Sequence, residues 1–269
     1  MTACQAAPAN LRITLLGRIS LRTAVGPEVR LAGRHAQALF TLLALSRRPR
    51  LREAIAADLW PDAAGGANTP LRQALYQLRT TLASAGIDPD EVLEADSETL
   101  GLRPDVVDYL DVDRFEACTD DPSCGAEVAV ALYGSDLAEG LPHDCFAAER
   151  ERLADRFEDA LATLASVRLE SGDLDGARRT AERLLIRDPL REEAHAVLLD
   201  VYGDGGSRSQ VVRQYRRLCA VLARELGERP LPETDATYRA ALRRSVERSR
   251  ERAAAIEPNA GPILVAVGE

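Results

Sequence analysis

Apolar and polar positions alternate over the first part of this chain and then change period. Residues 11–17 (LRITLLG) and 19–23 are short, apolar and β-prone, and 29–31 follow after Gly26-Pro27. That pattern predicts a small antiparallel sheet with tight turns. Ala36, Leu39, Phe40, Leu42, Leu43 and Leu45 then recur at helical spacing, predicting a helix over 34–46 that Pro49 ends. A second, shorter helix over 51–60 is closed by Pro61, and a loop of small residues over 62–68 follows. Asn68 or Thr69 can cap a third helix, with Pro70 in its first turn, where a missing N–H does no harm. It reaches Ser84 and stops at Gly86, after which 92–95 and 99–103 predict a hairpin around Asp96-Ser97. Sheet, three helices and hairpin, in that order, describe a winged helix.

Beyond Pro104 the sequence reads as helix period throughout. Helices are expected over 111–118 (Asp111 as cap), 126–133 and 146–171, followed by hairpins built from 173–187, 189–202, 207–226 and 233–249. Leu174, Ala177, Ala181, Leu184 and Asp188-Pro189 match the second helix and closing Pro of a tetratricopeptide (TPR) unit, and Ser209, Tyr215, Leu218 and Leu222 echo it. The expected fold is therefore mainly α with a small β component: a winged helix followed by an all-α, TPR-like helical domain. The expected boundaries are a disordered 1–10, a winged-helix domain over 11–104, the helical domain over 105–249 and a tail over 250–269. Within that tail, 263–267 is β-prone but reads as a mobile end.

Composition narrows the chemistry. All 34 basic residues are Arg and none is Lys, which excludes a P-loop and Schiff-base or PLP catalysis. The net charge of −9 conceals an asymmetry: residues 11–82 carry +7 and the remainder −16. A basic lobe joined to an acidic one suggests a nucleic-acid reader fused to another module, although solvated surface Arg gives the same count. The five Cys are scattered, and the first ten residues have neither a basic nor an apolar signal region. With no apolar run long enough to span a bilayer, this reads as a cytoplasmic protein with free thiols and no membrane association. Cys118, Cys124, His143 and Cys145 match no common zinc spacing, and HExxH and GxSxG are absent, so no metal, cofactor or enzyme activity is expected. The alternating charges of Glu149–Arg150–Glu151–Arg152 read as a solvated or i,i+4-paired helix face.

An ordered set of blocks runs through most of the chain. It comprises Leu15-Leu16-Gly17, Gly33-Arg34, Leu59-Trp60-Pro61-Asp62, Leu75-Tyr76-Gln77-Leu78-Arg79, Asp111-Val112-Asp113-Arg114-Phe115-Glu116 and Leu132-Tyr133 leading into GSDLAEGL. Further on come Asp188-Pro189-Leu190-Arg191-Glu192-Glu193-Ala194-His195, Gln214-Tyr215-Arg216-Arg217-Leu218 and Glu225-Leu226-Gly227. Over residues 11–245 the chain resembles the SARP-type bacterial transcriptional activators, in which an OmpR-like winged helix precedes a bacterial transcriptional activator domain of TPR-like helices. The resemblance implies binding to double-stranded promoter DNA as a homodimer on direct repeats, and contact with the sigma subunit of RNA polymerase through the 61–68 loop. Gln77 and Thr80 stand where Arg is common in such proteins, which bears on sequence preference rather than fold.

Such a domain lays its third helix in the major groove. By 3.6-residue spacing, Thr69, Arg72, Gln73, Tyr76, Gln77 and Thr80 share one face, and Leu71, Leu75, Leu78 and Leu82 form the buried stripe opposite. Arg can pair with guanine and Gln with adenine, whereas Arg79 at the flank is placed to grip phosphate. By resemblance, Arg103 at the base of the wing contacts backbone or minor groove. Arg50, with Arg47, Arg48 and Arg52, is expected to add phosphate contacts. A scaffold whose TPR-like half binds protein while a degenerate winged helix has lost DNA affinity is a competing reading, as is a repressor.

Overall fold

The alternation at the N-terminus becomes strand β1 (Leu11–Thr14), with Leu11 and Ile13 fully buried and Arg12 and Thr14 at the intermediate edge. This computed structural model describes residues 10–23, 26–63, 68–121 and 125–256, and the chain divides into two units, 1–157 and 158–269. Strand β2 (Ser20–Thr23) runs antiparallel to β1, and Leu21 exchanges backbone hydrogen bonds with Val29. Residues 263–267 lie outside the described part of the chain.

The other edge of β1 is taken by a strand where only helix was expected. Residues Val107–Leu110 pair with it in parallel, completing a three-stranded sheet whose central strand is β1. A four-residue run shows no resolvable period, and its partner lies almost a hundred residues upstream, so local patterning could not disclose it. Asp111, expected to cap the next helix, does something different. Its buried carboxylate accepts the N–H groups of Leu15, Leu16 and Val112, each at 2.9 Å. It thereby ties the segment after β1 to the chain that follows the wing. Burial pushes its pKa above the usual carboxylate range, against the downward pull of those N–H donors.

Between these strands lies the winged helix: α1 (Arg34–Ser46), β3 (Arg50–Leu51), α2 (Arg52–Leu59), α3 (Asn68–Ser84), the single turn α4 (Pro89–Val92), β4 (Leu93–Ala95) and β5 (Thr99–Leu102). Strands β3, β5 and β4 form a second three-stranded sheet, antiparallel throughout. Leu39, Phe40 and Leu43 of α1 and Leu71, Leu78 and Leu82 of α3 are all but inaccessible to solvent and supply the core. Ala74 completes the stripe on α3, while Leu75, expected there, is only half-buried.

Strand β6 (Val107–Leu110) leads into α5 (Asp111–Asp120), α6 (Ala126–Leu132) and α7 (Ala147–Glu170), the last reached through a 3-10 turn, Asp144–Phe146. Tyr133 stacks on Phe157 with centroids 4.2 Å apart, and Phe115 tilts against it at 5.2 Å. Arg150 is not the solvated charge that its alternating neighbourhood suggested. Its guanidinium donates to the carbonyls of Leu137, Leu141 and His143, satisfying a loop that lacks a ladder of its own. Cys145 and Cys219 are free, but Cys118 is disulfide-bonded, against the free thiols expected. Scattered spacing carries no information about which sulfurs approach one another.

The second unit contains the later turns of α7, then α8 (Leu174–Arg187), α9 (Glu192–Asp204), α10 (Arg208–Glu225) and α11 (Pro232–Ile256), which extends past the expected end at Ser249. Helix α9 packs against α8, α10 and α11. Its contact with α11 is close because position 203 is Gly: a Cβ there would sit 2.9 Å from the Cα of Ala241. His195 is fully buried and has two partners, the Pro189 carbonyl at 3.1 Å from Nε2 and the Gln214 amide at 2.8 Å from Nδ1. That pairing suits the neutral ring protonated on Nε2, and burial lowers its pKa.

Candidate nucleic-acid interface

Helix α3 carries no acidic residue and shows two distinct sides. Thr69, Arg72, Gln73, Tyr76 and Thr80 are exposed on the face that spacing assigned to them, and Tyr76 is 72% accessible despite its size. Gln77 departs from that set. It is half-buried beside Gly33, where a Cβ would fall 2.9 Å from its Oε1. Its amide therefore lies against the loop before α1. The Thr80 hydroxyl donates to the Tyr76 carbonyl at 2.8 Å, one turn back along the helix.

The flanking arginines are placed near this face but are not idle. Arg79 pairs with Asp90 at 2.6 Å, and Arg103 donates from Nε to the backbone carbonyl of the same Asp90 at 3.2 Å. One residue of α4 therefore holds both the flank of α3 and the foot of the wing. Arg50 pairs with Asp58 at 2.7 Å, Arg52 donates to the Asp96 carbonyl at 2.9 Å, and Arg47 pairs with Asp113. Arg48 is exposed. Solvent-exposed pairs of this kind are worth about 0–1 kcal/mol, so a phosphate can replace the carboxylate at little cost.

The wing stands beside the N-terminal half of α3, and a cleft of about 450 Å3 between them is lined by Leu51, Arg52, Arg72, Ser97 and Glu98, among others. Its sheet lies close to the end of α1, because a Cβ at Gly101 would come within 2.9 Å of the Pro49 Cα. At the tip, Asp96 accepts the N–H groups of Thr99 and Glu98 and the Thr99 hydroxyl, and these bonds hold its pKa below the usual range. Glu94 and Glu98 are exposed beside it, and Asp88, Asp90 and Glu91 precede it.

The acidic wing lies just beyond the basic stretch 11–82. Residues 88–98 hold six acids and no base, so residues 11–104 together carry only +2. The positive surface is the α3 face and its arginine border, not the domain as a whole. Among the described residues no three His, Cys, Asp or Glu side chains converge as metal ligands, and no helix is long and apolar enough to cross a membrane.

The bacterial transcriptional activator domain matches this chain over residues 110–242, from the last residue of β6 into α11. The transcriptional regulatory protein MoaR1, from Mycobacterium bovis and from Mycobacterium tuberculosis, is 27% identical over 257 residues, covering 87% of this chain and 79% of its own. In these matches the chain is similar to the SARP-type transcriptional regulators. The chain also shares its fold with Mycobacterium tuberculosis EmbR, solved in complex with a low-affinity phosphopeptide. The TM-score is 0.70 at 24% identity, over 91% of this chain and 69% of that one. That match covers most of this chain, and at this identity it shows a shared fold.

Proposed function

We propose that this regulator binds promoter DNA by seating α3 in the major groove, and that it activates transcription by contacting RNA polymerase. The observation that carries this reading is the acid-free, exposed face of α3, with Arg72 and Gln73 beside each other and Tyr76 one turn on. Arg72 reads guanine and Gln73 adenine, each supplying about 1–3 kcal/mol of discrimination. Thr69 and Tyr76 add contacts at the edges. Gln77, half-buried, orients the face more than it reads bases. Arg79, Arg103 and Arg50 exchange carboxylate or carbonyl partners for phosphates, which positions the helix without specifying sequence. The helical domain mediates dimerisation on direct repeats, and the segment 61–68, of which 64–67 lie outside the described residues, contacts the sigma subunit. These residues act by binding and not by catalysis, and the site of action is the cytoplasm.

Selection from random duplexes across a salt series tests this. An enriched direct repeat is expected, with affinity falling steeply as salt rises. Arg72→Ala is expected to abolish that binding at unchanged thermal stability, and an unaltered gel-shift titration would refute the assignment. The acidic wing favours one alternative, a protein-binding scaffold. A flat salt response with no enriched motif would establish that reading instead.

A further inference from the structure

A cavity of about 500 Å3 opens between the end of α1, the foot of the wing, β6 and α5, entirely within the first unit. Leu43, Leu102, Val107 and Leu110 give it an apolar floor. Its charged groups are unevenly matched. Arg47 is occupied by Asp113, which leaves the guanidiniums of Arg103 and Arg114 facing one further carboxylate, that of Asp108. Neither Arg103 nor Arg114 has an ion-pair partner among the described residues.

We propose that this cavity binds an amphipathic carboxylate, with its apolar body on the leucine floor and its carboxylate on Arg114 and Arg103. The volume lies within the roughly 300–1,000 Å3 of small-molecule sites, and an apolar pocket bearing a few convergent polar groups is their usual composition. A guanidinium presents paired N–H donors that match a carboxylate in bidentate geometry. An amine of equal length meets the same floor but also a cavity whose three Arg outnumber its two carboxylates. The cavity wall joins the wing foot to the activator domain, since β6 and α5 belong to the segment that follows Arg103. Binding here stands on the cavity alone and does not depend on the DNA reading. Where Arg103 also serves DNA, an occupant shares that side chain with the promoter.

Isothermal titration of the whole chain with sodium decanoate and with decylamine, both below their micellar concentrations, tests the proposal. Decanoate is expected to bind saturably at one site, about tenfold more tightly than decylamine. Arg114→Gln is expected to erase that preference, and Ala117→Trp, which fills the exposed rim, to abolish binding. Both positions are exposed, so melting temperatures should stay close to that of the native chain. Unsaturable heats, equal affinity for acid and amine, or native-like binding by Ala117→Trp would each overturn it.

Discussion

Asp111 offers the sharpest test of how the winged helix is held to the segment that follows it. Its two oxygens take three backbone N–H groups from two stretches of chain about 95 residues apart, all at 2.9 Å and all buried. Asp111→Ala removes every acceptor at once. Each buried N–H left unpaired costs about 1–3 kcal/mol, and partial entry of water lowers the total, so a loss of about 3–5 kcal/mol is expected. Asp111→Asn keeps one oxygen but turns an NH2 toward the donors, orphaning one of them at about 1–3 kcal/mol. Removing the charge also relieves its desolvation, which is already large enough to raise the native pKa. The order is therefore native, then Asn, then Ala. Trp60 is the single tryptophan and lies in the first unit, tilted against His35 at 5.4 Å, so its fluorescence follows that unit. With a urea m-value of about 2 kcal/mol/M, the Ala midpoint should fall by about 1.5–2.5 M and the Asn midpoint by about 0.5–1.5 M. An Ala variant within about 1 kcal/mol of native, or Asn costlier than Ala, would refute the idea that the carboxylate clasps these donors.

Three further outcomes are expected. Replacing Glu94, Asp96 and Glu98 together by Gln, Asn and Gln should raise affinity for random duplex DNA about tenfold at low ionic strength, with the gain shrinking as salt is added. An unchanged affinity in fluorescence anisotropy would show that the wing stays away from phosphate. Burial lowers the pKa of His195, so its unfolded form takes up a proton first as pH falls. Its contribution is intact above about pH 6.5 and declines below it. The second unit, where it is the only histidine, should melt lower at pH 5.5 than at 7.5 by circular dichroism, and His195→Gln should flatten that dependence. Gly203→Ala should destabilise the same unit by about 1–3 kcal/mol in urea, because the added methyl meets the Ala241 backbone and not a yielding side chain. A neutral result would mean that α9 and α11 separate more readily than their packing implies.

Helices with a sustained stripe were legible residue by residue. The first helix was expected over 34–46 and is found as Arg34–Ser46, and the wing hairpin fell where its turn signal placed it. The exposed face of α3 was legible for the same reason, since a fixed helical pitch converts spacing directly into direction. That argument failed at Gln77, whose burial depends on Gly33, more than forty residues earlier in the chain.

What the sequence determined by itself is whatever the 3.6- and 2-residue periods and the turn residues express within a few neighbours: the element order, the two kinds of domain and the side of α3 that faces out. The tertiary structure alone decided the parallel pairing of β6 with β1, the role of Asp111 as a clasp, the carboxylates that hold Arg79 and Arg50, and the cavity floored by Leu43 and Leu110. Each of these joins residues with no fixed spacing between them. A hydrogen bond, an ion pair or a void depends on where two surfaces meet, and that is set by the packing of the whole unit, which no local period encodes.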